Sequence, residues 1–209
     1  MKLKSCILLI FTVCLQALFS QNIDLINKDL HLPDSLDQDI EIRVYMDVGI
    51  TNYTSLLRIF KSEDNWTTEF YEHFAAVDDV TDLNTTLDTL VPKNHPDYVY
   101  QNLLVSYINK LPSQTDIQWK MNLDRFVKKF TETYRGKEKT EYWAMFSKIS
   151  FSDGRGYSFK IKNADLRHSF SYGNPFGYKE KFPEIDEINY VCEIIDKLIE
   201  EYDLKDYKN

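Results

Sequence analysis

From Ile40 onward the chain alternates. Ile40, Ile42, Val44 and Met46 are apolar, with Glu41, Arg43 and Tyr45 between them. A period of two is the pattern of a strand with one buried face and one wetter face. The turn ITNYT follows, then SLLRIFK as a second strand and SEDN as a second turn. Trp66, Thr68, Phe70 and Phe74 then run with Thr67, Glu69, Tyr71 and His73 as a third strand. Residues 40–74 therefore read as a three-stranded meander. A second group of three is expected over residues 141–172, from EYWAMFSKISF, YSFKIKN and LRHSFSY. In its first strand Trp143, Met145, Ile149 and Phe151 share one face, and Tyr142, Ala144 and Phe146 make the other apolar too. Such a strand is expected to be central in a sheet or covered on both sides. Asp153-Gly154 suits a tight hairpin turn, because both central residues of a type I′ turn need positive φ. After it Tyr157, Phe159 and Ile161 alternate with Ser158, Lys160 and Lys162.

The period changes at the end of the chain. Ile185, Ile188, Cys192, Ile195, Ile199 and Tyr202 recur at spacings of three and four, the stripe of an amphipathic helix. Pro183 and the acidic Glu184, Asp186 and Glu187 suit its amino end. A second helix is expected from Pro96, with Tyr100, Leu103, Leu104, Tyr107, Ile108 and Leu111 as its stripe and Pro112 as its stop. Residues 115–139 carry Leu123, Phe126, Val127, Phe130 and Tyr134 at helical spacing, although the Thr and aromatic content of RFVKKFTETY also suits a strand; a helix is the expectation. Residues 75–94 read as a long acidic loop with a short strand at TLDTLV, and residues 21–39 as a leader segment or short helix. The fold class is α+β: an antiparallel sheet from two three-stranded meanders, packed by helices that include a long carboxy-terminal one.

The first 20 residues change the picture of where the protein works. Lys2 and Lys4 precede an apolar run from Ile7 to Phe19, and Ser20 offers a small residue before Gln21. This is the pattern of a signal peptide cleaved after Ser20, leaving residues 21–209 as one domain. Neither Cys6 nor Cys14 sits in a good lipobox. No stable membrane span is expected after cleavage, and the mature chain is expected in the periplasm or secreted. The full chain has a formal net charge of −8, and loss of Lys2 and Lys4 makes it more acidic. An acidic chain without a basic block argues against nucleic acid and anionic membrane surfaces. Of the three cysteines only Cys192 would remain, so no intrachain disulfide is expected, and its place on the apolar helix face reads as a small core residue.

Candidate chemistry is sparse. The four histidines, His31, His73, His95 and His168, form no HxxxH or HxH pair. His168 shares a face with Leu166, Phe170 and Tyr172; a hydrogen-bonded core histidine is the first reading, and a catalytic residue with a nearby carboxylate the second. Asp78, Asp79, Asp82 and Asn84 lack the spacing and glycine of a calcium loop. No metal or cofactor is expected. Exposed aromatics beside glycines would make a contact surface, and the loop holding Tyr172, Asn174, Phe176 and Tyr178 is such a candidate. Its alternative reading is that the rings cover the end of the core. Asn52, Asn65 and Asn84 begin N-glycosylation triplets, and Asp34-Ser35-Leu36 and Asp88-Thr89-Leu90 fit a short O-glycosylation signal.

The stretches EIRVYMDVGITN, SLLRIFKSEDNW, LPSQTDIQWKM and DGRGYSFKIKN, with FSYGNP and FPEIDEINYVCEIIDKL, resemble uncharacterised exported proteins of flavobacteria. The resemblance implies a bacterial exported protein and carries no activity or functional residue with it. Two functions follow as expectations: a non-enzymatic exported module that binds a protein or small ligand, or a hydrolase built around His168.

Overall fold

Alternating apolar residues can satisfy their backbone only by pairing with neighbours, and the strand at Ile40 is paired on both sides. The computed structural model describes residues 23–47, 51–77, 82–149, 151 and 154–204. The expected signal peptide, Asp78, Asp79 and Asp153 lie outside the described residues. The strands are β1 (Ile40–Met46), β2 (Tyr53–Ser62), β3 (Asn65–Phe74), β4 (Asn84–Thr89), β5 (Asn122–Tyr134), β6 (Lys137–Lys148), β7 (Gly156–Asn163) and β8 (Leu166–Gly173). Six of them form one antiparallel sheet in the order β4-β3-β2-β1-β7-β8, and β5 with β6 forms a separate pair. The α+β class, the antiparallel sheet and the long carboxy-terminal helix all hold. So does the meander at residues 40–74.

The second group of three does not form as expected. Strand β6 pairs with β5 and not with β7, while β7 joins β1 in the main sheet. The reason is local. Tyr134 pairs with Lys137, so Arg135-Gly136 is a two-residue loop with φ +51 and +75, the geometry of a I′ turn. The tight turn expected at Asp153-Gly154 falls between β6 and β7, which do not pair with each other, and Asp153 itself is outside the described residues. Gly154 has φ +145, and a Cβ there would meet the Asn174 side chain at 2.3 Å.

The helix expected over residues 115–139 is also corrected. Only α3 (Gln114–Ile117) is helical, with one 3-10 turn at Gln118–Met121 before β5 begins; its relatives in the fold are α1 (Ile23–Asp29), α2 (Pro96–Val105), α4 (Pro175–Lys181) and α5 (Asp186–Tyr202). Phe126 and Phe130 are four apart, a spacing that shares a face in a strand as it does in a helix. The Thr and aromatic content, together with a strand partner across a tight turn, decides for β.

The sheet has two different faces. Ile42, Val44, Leu57, Ile59, Phe159, Ile161 and Phe170 form the floor of the main core, and α5 lays Ile188, Val191, Ile194, Ile195 and Leu198 on it. On the opposite face, α1 contributes Ile26, and Leu30 follows, against Tyr45, Leu56 and Tyr71. The stretch read as a leader or short helix thus covers the second face of the sheet. Helix α5 begins later than Pro183, at Asp186 behind Ile185.

Cys192 faces this core and is fully buried. Burial pushes its thiol up to about 12. At pH 8 a native thiol of this kind is both out of reach and almost wholly protonated, so it reacts slowly with thiol reagents. Native protein is expected to resist labelling by a maleimide or disulfide reagent until urea unfolds it. Prompt stoichiometric labelling of the native state would place Cys192 outside the core.

Candidate functional site

The aromatic loop proposed from the sequence is a short helix that closes the core. Tyr172 is 2% exposed on β8, and its hydroxyl donates to the Pro112 carbonyl at 2.9 Å. Asn174 adopts the left-handed conformation and caps α4, its side chain accepting from the Gly177 amide at 3.1 Å. Phe176 and Tyr178 are half-buried against the core, and the Tyr178 hydroxyl donates to the Ile149 carbonyl at 3.2 Å. Burial raises the Tyr178 hydroxyl above its ordinary value. These rings cover the end of the core; the loop does not present Tyr172 as a contact.

His168 lies on the core side of β8, half-buried, with its ring 5.6 Å from that of Phe170. Nε2 is 2.6 Å from the Leu111 carbonyl oxygen. A carbonyl can only accept, so Nε2 carries the proton. Among the described residues no hydrogen bond or ion pair joins His168 to a carboxylate. The imidazole helps to hold the 111–114 segment along β8, where Gln114 and Ser113 also accept from the Gly173 and Ser171 amides.

The polar face of the sheet holds what the sequence reading missed. Glu41, Arg43 and Arg58 are neighbours across β1 and β2, and Glu41 and Arg43 are fully buried. The Glu41 carboxylate is saturated. Oε1 accepts from Arg43 Nε and Arg58 Nε at 2.8 Å each, and Oε2 from the Asp37 and Gln38 amides at 2.8 and 3.1 Å. Arg58 also donates to Glu69 and Asp37. Burial pulls its pKa down, but the bonds to Glu41 and Glu69 outweigh that and leave it above the ordinary value. Arg43 Nη1 donates to the Pro33 carbonyl at 2.6 Å, and Tyr45 donates to Asn27 at 2.7 Å. His73, also buried on this face, pairs with Asp29 at 2.9 Å. The network fastens the amino-terminal segment to the sheet.

The third feature is the β5–β6 hairpin. Thirteen residues at about 3.3 Å each make it an arm about 40 Å long. No residue of either strand is buried. Leu123, Phe126, Val127, Tyr142, Trp143 and Phe146 are each more than half exposed. They belong to both faces, because Phe126 pairs with Met145 and Lys128 with Trp143 on one side, and Val127 with Ala144 and Lys129 with Tyr142 on the other. The apolar residues lie in the half nearest the sheet, whereas the tip, from Thr131 to Glu141, is rich in Lys, Arg, Glu and Thr. The doubly apolar pattern of Tyr142, Ala144 and Phe146 was legible; that nothing in the described chain covers it was not.

Comparison with family models, curated proteins and solved structures gives no match. Among the described residues no helix is long and apolar enough to cross a membrane, and no group of three or more His, Cys, Asp or Glu side chains converges as metal ligands would. Asn84, read with Asp82 as an oxygen-ligand candidate, opens β4. Asn52, Asn65, Asn84, Ser35 and Thr89 of the glycosylation patterns are all exposed.

Proposed function

We propose that this is an exported, non-enzymatic binding protein that docks a protein partner through the β5–β6 arm. The observation that carries this reading is the apolar base of the arm, exposed on both faces. An isolated two-stranded hairpin is only marginally stable in water. At roughly 100 Å² for each half-exposed large side chain, the six residues present on the order of 600 Å², divided between the two faces of the arm. The arm also differs in charge from its chain. Residues 122–148 hold seven Lys and Arg against four Asp and Glu, while the whole chain stands at −8. A surface both acidic and apolar is its natural complement. A lipid bilayer fits less well, because the tip that would enter it is charged and the aromatics sit near the body. The hydrolase alternative draws no support from His168, whose ring proton is held by a backbone carbonyl.

The test is capture of partners from the exported fraction of the native cell by wild type and by the Phe126→Ala/Trp143→Ala double variant. Exposed side chains should change stability little, by less than about 0.5 kcal/mol each. Aromatic anchors dominate many interfaces, so the double variant should lose at least tenfold in partner retention. Equal retention by both proteins, with melting temperatures unchanged, would remove the arm as the docking element. Binding to anionic vesicles instead of protein would overturn the choice of partner.

A further inference from the structure

We propose that the cleft between the Asp34–Leu36 segment and the polar face of β7–β8 is a binding site for a small molecule bearing an oxyanion. The cleft has a volume of about 450 Å³ and is lined by Lys160, Arg167, His168, Ser169, Ser35 and Asp34, among others. That volume lies within the usual range of small-ligand sites. Its chemistry follows from the sheet register. Lys160 sits directly across from Arg43 on β1, and Lys162 directly across from Arg167 on β8. Like charges facing one another across strands are unfavourable unless something neutralises them. Here nothing does. Among the described residues no ion pair joins Lys160, Lys162 or Arg167 to a carboxylate. Glu41 is the neighbour of Lys162 on β1, but its two oxygens already accept four hydrogen bonds.

Behind the wall stands a fourth cation. Arg43 is fully buried, and its Nη1 donates to the Pro33 carbonyl, one residue before the cleft-lining segment. Its Nη2 meets no acceptor in hydrogen-bonding geometry. Its charge is countered by the equally buried Glu41 at 2.8 Å, so the positive charge open to a ligand is that of Lys160, Lys162 and Arg167. Arg58, Arg43, Lys160, Lys162 and Arg167 stand on this face against Glu41, Glu69 and Asp37. Asp34 lines the cleft from the far side, where it accepts from Asn27, and Asp39 and Asp165 line the adjoining groove that shares Arg167. Among the described residues Arg167 donates one long bond, 3.5 Å to the Leu36 carbonyl, which leaves its planar fork able to face two oxygens of a ligand. Lys160 supplies a point charge beside it, and the Ser35 and Ser169 hydroxyls supply donors. Phosphate, sulfate and carboxylate groups all fit this chemistry, as a phosphate ester or as an acidic sugar.

The experiment is calorimetric titration with inorganic phosphate, inorganic sulfate and glucuronate, each at constant ionic strength set with chloride. Saturable one-to-one binding by at least one of them is expected. The phosphate and sulfate arms against the glucuronate arm tell an ester from a sugar acid. Arg167→Gln and Lys160→Gln, both at solvent-accessible positions, should each weaken binding at least tenfold with no change in melting temperature. Amide resonance shifts on titration should centre on residues 35, 160–162 and 167–169. Absence of saturable binding by all three anions, equal binding by both variants, or shifts centred elsewhere would overturn the proposal. The Phe126→Ala/Trp143→Ala variant should bind the anion as wild type does, so the cleft and the arm stand or fall separately.

Discussion

Replacing Glu41 by alanine is expected to lower the stability of the protein by about 3–5 kcal/mol, the usual loss when one partner of a buried ion pair is removed. The carboxylate is fully buried and is the common acceptor of two guanidinium groups and two backbone amides. Its removal leaves Arg43 Nε with no acceptor in a site that water does not reach, and deprives Arg58 of one of its three carboxylate partners. It also releases the Asp37–Gln38 backbone that carries the wall of the cleft. Glu41→Gln keeps the shape and one acceptor oxygen, so its loss should be smaller. Urea unfolding measures both. A Glu41→Ala midpoint close to wild type would mean that the two arginines find other partners or water, and that the network is not a fixed part of the fold.

Phe159→Ala is expected to cost a similar amount, about 3–5 kcal/mol, through a different mechanism. Phe159 is fully buried on β7, paired with Val44 on one side and Phe170 on the other. Its ring stacks on that of Phe170 with centroids 4.5 Å apart. Truncation leaves a cavity between the sheet and α5 that strands, held by their ladders, cannot collapse to fill. Phe159→Leu should lose less, because most of the volume remains. Unfolding in urea should show lower midpoints with an unchanged slope. A loss below about 1 kcal/mol for the alanine variant would mean the core closes around the gap. The two variants also separate the faces of the sheet. Glu41→Ala perturbs the amino-terminal segment and the cleft, whereas Phe159→Ala perturbs the packing of α5.

The missed features share a cause. Lys160 and Lys162 alternate with core residues and read as an ordinary solvated face of a strand. Their meaning depends on Arg43 and Arg167 being opposite them, and that is a matter of strand order. Glu41, Arg43 and Arg58 looked like the wet side of a two-layer sheet until α1 and the segment after it were seen to cover that side. The loop with Phe176 and Tyr178 was readable as a core lid, because apolar rings next to an amphipathic helix have somewhere to go. Tyr172 belongs to that lid by its place on β8, where the core side is set by Phe170 two residues earlier.

The chain's local pattern was enough for the α+β class, the meander of β1 to β3, the sheet-facing side of β7 and the apolar stripe of α5 with Cys192 in it. Those follow from periodicity, since which side of a strand or helix is apolar is written in consecutive residues. Tertiary structure alone decided that β7 joins β1, that β6 leaves the sheet to pair with β5, and that the amino-terminal segment covers the second face. Each of these is a choice of partner between distant segments, and alternation is the same whichever neighbour a strand takes. The arm shows the limit most clearly. A strand apolar on both faces signals cover on both sides, but periodicity cannot say whether the cover comes from the same chain or from another molecule.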